Sequence, residues 1–413
     1  MKINSVKNLM KNELFLGSLT LLIMLNIANI INYLFHFSMA RILGPVDYGV
    51  LAVLSSIIYI FNVPSTSIQT ITSKYTTGFN SKKEFGKIKY AISYLMKKLF
   101  IISIIFFMAY LVLSFFLAKS LNIQLGLLIL TGVIMFAMFL TPITIGVLQG
   151  TKKFKVWGWN SIISSVIKII LAVMLVLLGL RIYGAMIAWI IGSFISFFLV
   201  FPYIKEIMKE KEVKEKISLF SRESLITIFS ILFIVVIYSI DIILAKRFFP
   251  ADIAGKYAVA SMIGKMILFS SLAIGSAMFP ISSEKFLNKE KTHNVIKKTI
   301  LGIITLCAIA LIIIALSPEW VIKTLFGAQY LSISNILLYI GVAFSFISFL
   351  NTFILYKISV NSLKIKHVIY LALLLVIQIV AFNLFHKTIE QFSITFMLFS
   401  ICAFIFAPIV IRK

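Results

Sequence analysis

A lysine stands near the middle of an apolar run with hydroxyls around it. Lys168 lies about twelve residues into the run 157–179. At 100° per residue, Ser161, Ser164 and Ser165 share its face of a helix, with Trp157 beside them. A lysine at the centre of a hydroxyl stripe reads as cavity-lining, where its ammonium acts as a point charge. Two plainer readings stand beside this one: burial neutralises the lysine, or Asp241 pairs with it. Lys265 repeats the pattern in the run 255–282, sharing a face with Ser261, Gly264 and Ser276. Arg41 ends the first apolar run. Its guanidinium offers a fork for phosphate oxygens, although long cations at span ends commonly snorkel to the interface. Together the three cations suit a diphosphate.

Asn26, Asn29, Tyr33 and His36 follow one another at spacings of 3, 4 and 3 and make one polar stripe on the first apolar run. Amides and an aromatic ring suit sugar hydroxyls and rings, and the same residue types also bond helices to one another in membranes. Asp241 is the only acid inside an apolar run. It reads either as a proton or cation coupler or as a salt-bridge partner near the outer edge. The four histidines show no ligand spacing, and no DxD or DDxxD cluster appears. No metal and no cofactor is expected. Cys307 and Cys402 both lie in apolar runs and imply no disulfide framework. The longest external loop, about 317–332, carries only Glu319 and Lys323 as charged residues, too little for a membrane-bound glycan polymerase or ligase.

These groups need elements that carry them through hydrocarbon. The 413 residues are 61% hydrophobic and 13% charged, whereas soluble chains carry about 25% charged residues. Twelve apolar runs, from 14–37 to 392–411, are long enough to span a core of about 30 Å as helices. The expected fold is an all-α polytopic membrane protein of twelve transmembrane helices. The net charge of +25 is unevenly placed. With residue 1 in the cytoplasm, most of the 39 lysines and arginines fall in internal segments. That is the positive-inside pattern, with both termini cytoplasmic, and it points to a membrane surface and not to nucleic acid. Residues 205–222, which alternate in sign, read as a solvated helical linker. The linker separates a six-helix lobe at 1–204 from another at 223–413.

The halves share a motif. Around an offset of 205, Pro45 matches Pro250 and Asp47 matches Asp252, and Gly49 matches Gly255 after one inserted residue. Both copies lie between the first and second helix of a half. Six helices per half make the repeat parallel, about a pseudo-twofold axis along the membrane normal, with a site between the lobes near the midplane. Locally, Gly44, Pro45 and Asp47 also read as a tight turn. In the second helix Pro64 removes a backbone donor and predicts a bend. Ser65, Thr66, Gln69 and Thr70 follow, so this half-helix reads as a gate or as a kink satisfied by hydroxyls.

The stretch ARILGPVDYGVLAVL at 40–54, with its R-x-L-G-x-x-x-Y-G pattern, and SIDIILAKRFFPADIAGKYAVASMIGKM at 239–266 resemble the polysaccharide-transporter (Wzx-like) flippase family. That family is related to the multidrug-and-toxin extruders. The resemblance implies V-shaped lobes that alternate access to a central, cationic cavity, and a polyprenyl-diphosphate-linked oligosaccharide as cargo. It implies a multi-pass protein of the cytoplasmic membrane, acting as a monomer or with polysaccharide-assembly proteins. Exporters of the same fold with another cargo (a drug, another lipid, a teichoic-acid-like polymer) remain the alternative. Residues 14–40 of the first helix hold no acid, unlike the drug extruders.

Overall fold

The computed structural model describes residues 2–218 and 222–411, and no strand occurs among them. Apolar runs become helices because hydrocarbon offers backbone N–H and C=O groups no other partner. Ten stretches are long and apolar enough to cross a bilayer, by length and composition. Two of these exceed one crossing: Leu19–Ser81 has 63 residues and Phe154–Phe198 has 45. An unbroken helix of the first length would measure about 95 Å, three times the hydrocarbon core. Each holds two of the apolar runs, and each breaks at a glycine: Gly44 has φ 76° and ψ 173°, and Gly179 has φ 93°. Glycine enters that region without a Cβ clash. Pro45 then sits in the turn that follows, where a missing N–H is tolerated.

The chain divides into two compact units: Met1–Leu43 with Phe61–Ser221, and Gly44–Ile60 with Arg222–Lys413. The first holds the start of α1 (Lys2–Phe61), then α2 (Val63–Ser81), α3 (Phe85–Leu121), α4 (Leu125–Gly150), α5 (Phe154–Leu175), α6 (Arg181–Phe198) and α7 (Phe201–Lys209). On α3, Ile88, Ile92, Leu95 and Leu99 make a helical stripe that packs with Ile143 and Val147 of α4. The spacing Gly146-x-x-x-Gly150 lets α4 lie against α2. A Cβ at Gly146 would come within 2.7 Å of Gln69 O, and one at Gly150 within 2.6 Å of Thr76 Cβ. Such small-residue contacts are what bring helices close in lipid.

At Pro64 the expected bend takes the form of an interruption in the helix. The helix ends at Phe61 and restarts at Val63, so Pro64 falls in the first turn of α2, where its missing N–H breaks no bond. The break lies where the chain passes from one unit to the other. Thr66, Thr70 and Thr72 donate to carbonyls of their own helix.

The helical linker also needs correction. Helix α7 stops at Lys209, and residues 211–218 run without helix; 219–221 lie outside the described residues. The Val213 N–H donates to Gly86 O at 3.1 Å, and a Cβ at Gly86 would lie 2.4 Å from Lys211 O. Lys89 bonds Glu210 O, Ser93 bonds the Glu212 carboxylate, and Lys87 pairs with Glu215 at 2.9 Å. The alternating charges therefore tie the strap to α3 instead of pairing along a helix. Lys87 holds the Glu215 carboxyl below its usual range by hydrogen bonding to it.

The second unit joins Gly44–Ile60 to α8 (Arg222–Ile237), α9 (Ile240–Phe248), α10 (Ala251–Leu287), α11 (His293–Leu316), α12 (Pro318–Leu325), α13 (Ser334–Ser359), α14 (Ile365–Leu384) and α15 (Ile389–Ile411). Every residue from Asp47 to Ile58 is buried, as befits a helix surrounded by protein. The matching glycines of the sequence motif meet here. A Cβ at Gly49 would lie 2.7 Å from Gly255 Cα, and one at Gly255 only 1.8 Å from Pro45 O. The gap between α8 and α9 leaves the Ile237 carbonyl without its helical partner, and Gln378 of α14 donates to it at 3.0 Å. That gap puts Asp241 in the first turn of α9, where the helix dipole favours an acid.

Candidate functional site

The first unit contains a cavity of about 290 Å³. Helix α5 supplies its charged end. Lys168 is 8% exposed, and its ammonium donates to Asn32 Oδ1 on α1. The Asn32 amide donates in turn to Ala28 O at 2.9 Å and to Ser165 Oγ at 3.4 Å, which turns its oxygen towards the lysine. The Lys168 Nζ lies 4.6 Å from the Phe35 ring centroid and 4.7 Å from that of Trp189 on α6, within cation–π range. Helix α6 comes this close because residue 192 is glycine. A Cβ there would lie 2.9 Å from Lys168 Cβ.

Away from the lysine one side is polar and aromatic, and α4 supplies an apolar wall of Ala137, Met138, Pro142 and Ile145. Trp157, Ser161, Ser164 and Ser165 line the cavity with Lys168, all from α5. Asn62, Ser65 and Gln69 face it from the start of α2. Ser65 donates to Met138 O at 2.7 Å and Gln69 to Gln149 Oε1 at 3.0 Å, which fixes α2 on α4. Among the described lining residues Lys168 is the one that carries charge. The arrangement can take a polar ligand with ring faces and hydroxyls, and can balance one negative charge.

The second unit holds a buried ion pair. Lys265 Nζ of α10 lies 3.5 Å from Asp241 Oδ1 of α9, with the side chains 1% and 0% exposed. The other carboxylate oxygen accepts from Ser261 Oγ and from Tyr257 OH. Asp241 thus pairs with Lys265, not with Lys168. Lys265 spends its charge inside the unit and does not line the first unit's cavity.

The polar stripe of α1 comes apart in the structure. Asn26 and Asn29 are exposed, and Asn26 donates to Leu22 O of its own helix. Tyr33 is half-buried. His36 is buried edge-on to Phe35 and Trp189, at 5.3 and 6.2 Å between centroids. None of the four lines the cavity, whereas Asn32 does. Arg41 is exposed near the end of this segment of α1, before the Gly44 break. Asn32 and Trp189 escape the sequence reading. The signal for Asn32 was the row of asparagines at 26, 29 and 32; Trp189 sits in an apolar run with only Gly192 and Ser193 to mark its face. Among the described residues no group of three or more His, Cys, Asp or Glu could hold a metal ion.

Residues 15–286 match the family described as Polysaccharide biosynthesis protein. The chain belongs to that family. Solved transporters share its fold. An inward-facing multidrug resistance MATE family transporter of the MOP superfamily superposes with a TM-score of 0.73 at 14% identity, covering 93% of this chain and 94% of its own. A Vibrio cholerae MATE transporter gives 0.67 at 14%, covering 97% and 96%. A Pyrococcus furiosus MOP superfamily transporter, described as having reversed binding-pocket polarity, gives 0.63 at 14%, covering 97% and 95%. No curated protein matches. This member of a polysaccharide biosynthesis family thus has, among its described residues, ten helices long and apolar enough to cross a membrane, in a fold shared with solved MATE and MOP superfamily transporters.

Proposed function

We propose that this family member flips a polyprenyl-diphosphate-linked oligosaccharide from the cytoplasmic to the outer leaflet of the cell membrane, for surface-polysaccharide assembly. In this reading twelve helices cross the bilayer as two six-helix halves, with both termini cytoplasmic, and the halves alternate access as a monomer. The break at Asn62 and Pro64 is the bending point of a gate. Arg41 serves the cargo at the outer end of the first helix, and Asp241 takes no part in coupling. The observation that carries the proposal is membership of a polysaccharide biosynthesis family by a chain with ten helices, among its described residues, long and apolar enough to cross a membrane.

The second reading, a drug exporter, is favoured by the multidrug transporters among the solved structures of this fold. The lysine of the cavity weighs against a cationic cargo, which an ammonium would repel. Ligand binding to the folded state raises thermal stability by mass action. Purified protein in detergent is therefore expected to melt higher with a lipid-diphosphate oligosaccharide and unchanged with a cationic dye. Stabilisation by the dye alone would favour the exporter.

A further inference from the structure

The cavity of the first unit has three properties that together narrow its ligand. It is small. About 290 Å³ is at the lower edge of ligand sites, which run from about 300 to 1,000 Å³. It has room for about one sugar ring, and it is open on one side, so the rest of a longer chain can lie outside it. Its walls combine two tryptophans, Trp157 and Trp189, with amides and hydroxyls that both donate and accept, and with an apolar face of α4. Its charge is a single ammonium, held between two aromatic faces and one amide oxygen.

A diphosphate fits this poorly. It brings more than one negative charge, and the described lining offers one cation to meet them. Among the described lining residues no arginine offers a bidentate fork. A neutral sugar would satisfy the tryptophans and hydroxyls and leave the ammonium unmatched. We infer that this cavity is a subsite for one sugar ring bearing a single negative charge, of the uronic-acid type, with its carboxylate at Lys168 and the ring among Trp157, Trp189 and the serines of α5. The inference rests on the flippase reading for its relevance to cargo, and it makes the acidic sugar a determinant of specificity.

The tryptophans provide the readout. Trp157 and Trp189 line the cavity, while Trp159 and Trp320, at 57% and 63% exposed, give the background. Purified protein is titrated with methyl glucuronide, methyl glucoside and inorganic pyrophosphate, following tryptophan fluorescence. The glucuronide is expected to bind with saturation at least about tenfold more tightly than the glucoside, and pyrophosphate is expected not to displace it. Lys168→Met is expected to remove the preference. Equal binding of the two sugars, displacement by pyrophosphate, or no saturable signal from either sugar in the wild type would overturn the inference, whatever the variant does. So would a preference that survives in Lys168→Met. The parent reading fails separately. A glucuronide preference in protein that flips no lipid-linked sugar keeps the subsite and removes the flippase, and flipping without the preference does the reverse.

Discussion

Asp241→Asn is expected to destabilise the protein by about 3–5 kcal/mol, because it leaves the Lys265 ammonium buried without its partner. The pair is sealed, at 0% and 1% side-chain exposure, so water cannot replace the lost carboxylate. The double variant Asp241→Asn with Lys265→Met removes both charges and keeps the volume of the lysine stem. Replacing a buried pair by apolar groups is often neutral or stabilising, so the double variant should recover most of the loss. Chemical denaturation in detergent reads both effects. A single variant as stable as the wild type, or a double variant no better than the single, would show that the pair contributes no stability. Transport by the double variant tests coupling in the same samples. If Asp241 carried a proton or cation, the double variant would fold and fail to transport.

Lys168→Met is expected to lower the flipping rate at least about tenfold, equivalent to ~1.4 kcal/mol, with folding intact. The substitution keeps a long stem against Gly192, Phe35 and Trp189 and removes a buried charge that no acid of the cavity balances. Its melting temperature should therefore hold or rise. Flipping at the wild-type rate would assign Lys168 to structure alone.

The helical framework was legible because bilayer thickness sets the length of an apolar run, and nothing else in the sequence produces runs of that length so often. The face of α5 was legible for a similar reason. Trp157, Ser161, Ser164, Ser165 and Lys168 follow helical geometry, and the structure gathers them at one cavity. Contacts across helices were not legible. Nothing in the spacing of Asp241 chooses Lys265 over Lys168, since that choice depends on how α9 meets α10. Asn26, Asn29, Tyr33 and His36 share a face by angle, yet the neighbours of α1 change along its length, so that Asn26 is exposed and His36 is enclosed by Phe35 and Trp189. The linker misled for a third reason. Alternating charges suit pairing along a helix and also suit a strap pinned to lysines and a serine of α3, and only the close approach at Gly86 decides.

The proposed cargo also predicts how transport is driven. An anion leaving a negative interior gains about 2.3 kcal/mol per charge per 100 mV, so two phosphate charges moved uncompensated gain roughly 4–5 kcal/mol. The most direct measurement of the central claim is the appearance of a fluorescent polyprenyl-diphosphate oligosaccharide in the opposite leaflet of proteoliposomes, with the potential clamped by potassium and valinomycin. Movement is expected well above that in protein-free vesicles, faster when the side of origin is negative, with no need for a proton or sodium gradient. Movement no faster than in protein-free vesicles, or movement that ignores the potential and follows an ion gradient, would contradict that claim.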